Sequence, residues 1–212
     1  MPAPAPGAGF PRAAILVAAL LVLSAVPAPA HDVSPLELVR DTSSRMLVAL
    51  QDEGAVIAAD PAALDRLVAD IVLPYFDFRR MSQWVLGKHW RTATAEQREK
   101  FVVEFRALLV RTYGRALSDY AGEKVIYLPV GDQPGSDNVT VRTEIELSDN
   151  TSVPVAYSMY LGEDGWKVYD VAFNGVSLVT NYRSSYGRII RAEGMDSLIQ
   201  QMARRNTVQS GG

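Results

Sequence analysis

Few side chains in this chain of 212 residues can carry acid–base or nucleophilic chemistry. Cysteine is absent, which removes thiol nucleophiles, cysteine–zinc sites and disulfides. Histidine occurs twice, at His31 and His89, too sparsely to build a metal site with scattered carboxylates. The densest candidate is GWKVYDVAFNGVSLVTNYRSSYGRII, from Gly165 to Ile190, in which Asp170 is the only acid beside Tyr169, Tyr182, Tyr186 and several arginines. In an enzyme acting on an apolar small molecule, Asp170 would be the general base and Tyr157 or Tyr169 the donor to the developing oxyanion. Strand alternation, however, turns Tyr169 to the opposite face from its neighbour Asp170. The other roles open to Asp170 are structural, as a turn or helix-cap partner, or at the rim of a pocket. Asn174-Gly175 reads as a turn in which glycine relieves a positive φ.

The elements that must position these residues follow from hydrophobic period and punctuation. Arg12, the apolar run Ala13–Val26 and Ala28-Pro29-Ala30 read as a secretory signal peptide, residues 1–30, cleaved before His31. The competing reading is a membrane anchor, but a run of this length falls short of the ~20 residues that span a bilayer. Residues 31–206 then form one domain, and 207–212 a disordered tail. Ser34 caps a helix over Pro35–Gln51, and Asp60-Pro61 opens another that Pro74 ends. Phe78–Leu86 is a short third helix. Thr94 and Gln97 form a capping box for a long helix whose apolar stripe includes Phe101, Phe105, Leu108 and Leu109.

After Gly122 the period changes from that of a helix to that of a strand. Lys124–Val130, Val139–Leu147, Val153–Leu161 and Trp166–Phe173 read as a four-stranded antiparallel meander. Two helices, Leu178–Ala192 and Met195–Arg205, close the domain. Helices first and strands second give an α+β fold: a helical N-terminal half packed on a four-stranded antiparallel sheet, with C-terminal helices.

The last two strands are apolar or aromatic on both faces. In the first, Val153, Val155, Tyr157, Met159 and Leu161 face one way. In the second, Trp166, Val168, Asp170 and Ala172 alternate with Lys167, Tyr169, Val171 and Phe173. Such strands suit a sheet covered on both sides, or one wall of an apolar ligand cavity.

Charge is unevenly spread. The whole chain is −3, yet nine Lys/Arg meet three acids between Arg79 and Arg115. That segment is either a solvated helix face or a basic patch for an acidic partner or an anionic headgroup. No nucleic-acid-binding motif is present, and the acidic balance argues against that class.

Three stretches carry a resemblance: LPYFDFRRMSQWVLGKHWRTATAEQREKFVVEFRALLVRTYGRAL (Leu73–Leu117), AYSMYLGEDGWKVYDVAFNGVSLVTNYRSSY (Ala156–Tyr186) and GMDSLIQQM (Gly194–Met202). Together, in this order behind a signal peptide, they resemble the MlaC family, also called the toluene-tolerance family, of periplasmic phospholipid-binding carriers. The most specific pieces are Leu86-Gly87, Tyr113-Gly114, GWKVYDV from Gly165 and Gly175-Val176-Ser177. The long Pro/Ala-rich stretch before Arg12 departs from the pattern. The resemblance implies a helical cap on a cone-like curved sheet, with a deep apolar pocket for acyl chains. It also implies a monomer that shuttles phospholipid through the periplasm between the outer-membrane Mla lipoprotein complex and the inner-membrane Mla ABC transporter complex, maintaining outer-membrane lipid asymmetry. Phospholipid is the cargo, and no cofactor, metal, catalytic residue or nucleic acid is implied.

The excess of apolar groups places the lipid contacts on the third and long helices (Leu73, Tyr75, Trp84, Val85, Phe105, Leu109) and on the sheet (Val141, Val155, Tyr157, Met159, Trp166, Val168, Val171). The partner contacts are placed on Lys88, Arg91, Arg98 and Arg106.

Overall fold

The computed structural model describes residues 33–60, 62–119, 123–131 and 136–208, without the side chains of 115–119 and 208. The signal-peptide reading and most of the proposed tail lie outside these residues. Helices come first. α1 (Pro35–Asp52) starts from the expected cap: Glu37 N donates to Ser34 Oγ at 3.2 Å, and Ser34 N to Glu37 Oε2 at 3.0 Å. A short α2 (Gly54–Ala59) precedes α3 (Ala62–Ile71), where Ala62 N donates to Asp60 Oδ1. A 3-10 turn at Leu73–Tyr75 leads into α4 (Phe78–Leu86), capped by Asp77. A five-residue α5 (Lys88–Thr92) was not legible in the sequence. The long α6 (Ala95–Asp119) opens on the Thr94–Gln97 capping box, with both reciprocal bonds formed at 3.0 and 3.1 Å.

The sheet has five strands where four were expected: β1 (Lys124–Tyr127), β2 (Asn138–Glu146), β3 (Ser152–Gly162), β4 (Gly165–Phe173) and a two-residue β5 (Val176–Ser177). They pair antiparallel in chain order. Asn174-Gly175 joins β4 to β5, with φ of 49° and 78°, the left-handed pair that an Asn-Gly turn adopts readily. α7 (Leu178–Glu193) and α8 (Met195–Val208) follow, and α8 runs past the position where the tail was expected to begin.

Register decides what each face of the sheet presents. Val139, Val141 and Thr143 pair with Met159, Tyr157 and Val155, and these pair with Val168, Val171 and Phe173. This inner face meets the helices: Val141, Val155, Met159, Val168 and Val171 share one core cluster with Met81, Val85, Phe101, Phe105 and Tyr186. A second, smaller cluster joins Met46 and Leu50 of α1 to Leu64 and Val68 of α3.

Strict alternation along β4 fails at one residue. Met159 pairs with Val168 but Ser158 with Asp170, so Tyr169 is an extra residue, a β-bulge. Past it, Val171 and Phe173 join Trp166 and Val168 on the inner face, and Asp170 and Ala172 turn outward. Simple alternation had placed Val171 with Tyr169 and Asp170 with Val168; the bulge reverses both. The free edge of β4 beside the bulge is covered by a parallel bridge from Phe76 to Val168, with Asp77 N donating to Val168 O at 2.9 Å.

Candidate functional site

The acid–base candidates are placed by the bulge. Asp170 accepts from Ser177 Oγ at 2.5 Å and from Val179 N at 3.0 Å, while Ser177 Oγ accepts from Thr180 N at 3.0 Å. Its carboxylate thus organises the N-terminus of α7, where first-turn N–H groups lack helical partners and the helix dipole favours negative charge. Tyr157 lies on the inner face and Asp170 on the outer, so the sheet separates them. Tyr169 does share the outer side with Asp170, contrary to simple alternation, but its ring packs on Tyr160 at 6.1 Å and on Trp84 at 6.1 Å. Among the described residues, no group of three His, Asp or Glu could hold a metal ion.

A cationic–aromatic node holds the outer side of the bulge. Asp77 Oδ1 accepts from Arg80 N at 2.8 Å and its Oδ2 from Tyr160 OH at 2.6 Å. The Arg80 guanidinium lies 3.8 Å over the Tyr160 ring and 5.2 Å from that of Tyr169. Trp84, one helical turn after Arg80, is 48% exposed here. Trp84 therefore stands outside the interior in which it was expected.

The other expected lipid contacts mostly converge. Val85, Phe105, Leu109, Val141, Val155, Met159, Val168 and Val171 are buried in the main core, and Tyr157 and Trp166 pack against it. Leu73 packs instead on the α1–α3 cluster, and Tyr75 is half-buried in the 3-10 turn. Burial raises the Tyr157 phenol above its ordinary pKa. The converging side chains fill the space between sheet and helices: Met81, Phe101, Phe105, Val141 and Met159 are all fully buried.

Open volume lies one layer of rings away. A cavity of about 680 Å³ sits among α6, α7 and α8, lined by Leu108, Tyr182, Tyr186, Ile189, Arg188 and Arg205 among others. None of the thirteen expected lipid contacts lines it. Its floor is aromatic: Tyr182 and Tyr186 meet the Phe105 ring edge-on at 5.3 and 6.4 Å, and Tyr186 meets Phe101 at 6.0 Å. Burial raises both phenols, that of Tyr186 to about 12, so both stay neutral at physiological pH. The signal in the sequence was the apolar and aromatic spacing Tyr182, Tyr186, Ile189 along α7. It could not be told from an ordinary core stripe.

The expected partner contacts divide. Lys88, Arg91 and Arg106 are exposed. Arg98 is half-buried: its Nε donates to Trp90 O at 2.8 Å and a terminal nitrogen to Arg91 O at 3.3 Å, while its guanidinium stacks on Trp90. It therefore satisfies the C-terminal carbonyls of α5, where a cation meets the negative end of the helix.

Against this geometry stand its relatives. A binding protein named MlaC, of the intermembrane phospholipid transport system of Haemophilus influenzae, is 28% identical over 89% of this chain and 87% of its own length. The toluene tolerance protein ttg2D of Pseudomonas putida is 25% identical over 86% of this chain and 82% of its own. Among solved structures, the phospholipid-binding protein of Ralstonia solanacearum, in complex with a phospholipid, superposes with a TM-score of 0.76 at 26% identity, covering 82% of this chain and 97% of that one. The MlaC protein family model matches residues 40–204, from within α1 to within α8, and the chain belongs to that family.

Proposed function

We propose that the protein is a periplasmic phospholipid carrier that takes acyl chains into the interior between the inner face of the sheet and α4, α6 and α7. The observation that carries this reading is the continuous apolar packing from the α6–α7–α8 cavity through Tyr182, Tyr186 and Phe105 to Val141, Val155 and Met159. Met81, Phe101, Phe105, Val141 and Met159 fill that interior, so entering chains must displace the aromatic layer and spread it, with burial gaining about 0.8 kcal/mol per methylene. The phospholipid-bound relative and the transport-system relative support the same reading. Release to and uptake from membranes is assigned to docking on the inner-membrane Mla ABC transporter complex and the outer-membrane Mla lipoprotein complex. The exposed cations Lys88, Arg91 and Arg106 give acidic partner surfaces a place to meet the monomeric carrier.

The test is native mass spectrometry of protein purified without detergent, then exposed to phospholipid vesicles that are afterwards spun away. One phospholipid per chain is expected, and Val155→Thr, which puts a hydroxyl on the inner wall, should lower occupancy while the protein still folds. A chain that never acquires lipid refutes the carrier reading. Unchanged occupancy in folded Val155→Thr refutes the interior as its location.

A further inference from the structure

The rim of the α6–α7–α8 cavity carries charges that an acyl-chain pocket does not require. Arg188 and Arg205 line it from α7 and α8, and neither is ion-paired among the described residues. Glu193 lines it at the end of α7, where Ser197 Oγ and Gln201 Nε2 both donate to its Oε2, at 2.8 and 2.7 Å, leaving Oε1 as an acceptor. Beneath this rim the floor turns apolar, with Leu108, Ile189 and the rings of Tyr182 and Tyr186. Two cations and one carboxylate over a greasy floor match one kind of ligand: an amphiphile whose head bears a phosphate and an amine.

We propose that this cavity seats the headgroup of the cargo lipid, with the phosphodiester on Arg188 and Arg205 and a primary ammonium, as in phosphoethanolamine, on Glu193. The inference rests on the carrier reading above and adds a site and a selectivity to it. Arginine suits the phosphate because its planar fork donates paired hydrogen bonds to two oxygens. Both arginines are exposed, so the head stays wet while the tails pass Tyr182 and Tyr186 inward. A carboxylate on the same rim disfavours a second anionic group and gives a protonated amine its partner.

The experiment incubates the full chain with vesicles holding equal amounts of phosphatidylethanolamine, phosphatidylglycerol and diacylglycerol with identical acyl chains. Bound lipid is then counted by native mass spectrometry. The wild type should take phosphatidylethanolamine over diacylglycerol by about tenfold or more, the scale of one charge-assisted hydrogen bond. Arg188→Gln with Arg205→Gln should bring that ratio near one. Glu193→Gln should erase the preference for phosphatidylethanolamine over phosphatidylglycerol and leave the discrimination against diacylglycerol. If the wild type loads diacylglycerol as readily as phosphatidylethanolamine, or the double variant keeps the wild-type ratio, the headgroup seat is wrong while the carrier reading stands. If no lipid of any kind loads, the carrier reading falls first. A parallel titration uses inorganic phosphate alone. Binding that needs the two arginines, with lipid ratios the same in wild type and double variant, marks a free-anion site and overturns the assignment to a headgroup.

Discussion

Asp170 separates a structural from a chemical reading of the most enzyme-like residue in the chain. Replacing it with alanine removes two acceptors at once, one for Ser177 Oγ at 2.5 Å and one for Val179 N at 3.0 Å. An N-terminal cap contributes about 1 kcal/mol, and a partly buried donor left without a partner costs about 1–3 kcal/mol. The sum for Asp170→Ala is about 2–4 kcal/mol. With a urea m-value of about 2 kcal/mol/M, the unfolding midpoint should fall by about 1–2 M with the slope unchanged. Asp170→Asn keeps an acceptor for Val179 N but loses the charge, and should recover about half of the loss. Ser177→Ala should cost about 1 kcal/mol, and a double-mutant cycle should show coupling of at least about 0.5 kcal/mol because the two share one hydrogen bond. Folded Asp170→Ala should still take up lipid. An unshifted urea midpoint, or abolished function at wild-type stability, would refute the helix-organising role and return Asp170 to the list of chemical groups.

His89 predicts a pH dependence. Among the described residues its buried Nε2 has no hydrogen-bond partner, and burial, with Lys88 and Arg191 nearby, holds its pKa below the ordinary 6.5. The unfolded chain therefore binds this proton first, so the contribution is complete above pH 6.5 and is lost as pH falls through the lowered folded value. Thermal midpoints should drop between about pH 7.5 and pH 5, and His89→Gln should flatten that slope relative to wild type. Gly87 joins α4 to α5 at φ 54°, ψ −120°, and an added Cβ would lie 3.0 Å from an Arg183 guanidinium nitrogen. Gly87→Ala should thus lose about 1–3 kcal/mol in chemical denaturation, mostly from the backbone since the arginine tip can move. Under the proposed carrier role, charge reversal at Lys88 and Arg91 should slow lipid hand-over to a docking partner and remove its salt dependence, with lipid retention unchanged. Reduced retention would reassign those cations to the lipid.

What the sequence revealed and what it hid divide along a physical line. The caps at Ser34 and Thr94 and the change of period after Gly122 are local signals, and each appears in the structure where the residues place it. The bulge at Tyr169 is a matter of register between β3 and β4, so no pattern within β4 alone could reveal that Val171 faces inward and Asp170 outward. α5 and β5 are too short to show a period. Arg98 read as a surface cation, and only the chain reversal between α5 and α6 turns its guanidinium back onto the carbonyls of Trp90 and Arg91. The interior residues were legible because burial selects apolar types. The cavity was not, because it depends on the gap between three helices distant in sequence, and its Arg188, Glu193 and Arg205 look like any solvated helix surface.

That separation between a filled interior and a charged cavity bears on how a carrier can release what it binds. Acyl chains gain nearly as much from a bilayer as from a dry protein interior, so transfer is close to balanced before the protein's own rearrangement is counted. In the proposed reading the rearrangement is the displacement of Phe105, Tyr182 and Tyr186, whose ring contacts at 5.3 to 6.4 Å close the interior from the cavity. Each aromatic pair is worth about 0.5–1.5 kcal/mol beyond its buried area. Separating the three pairs therefore opposes loading by about 1.5–4.5 kcal/mol and favours expulsion by the same amount. A rigid open pocket would leave transfer near balance, with nothing in the carrier itself favouring release. Rings that regain their contacts when the chains leave let a modest binding energy at a docking partner decide the direction of transfer.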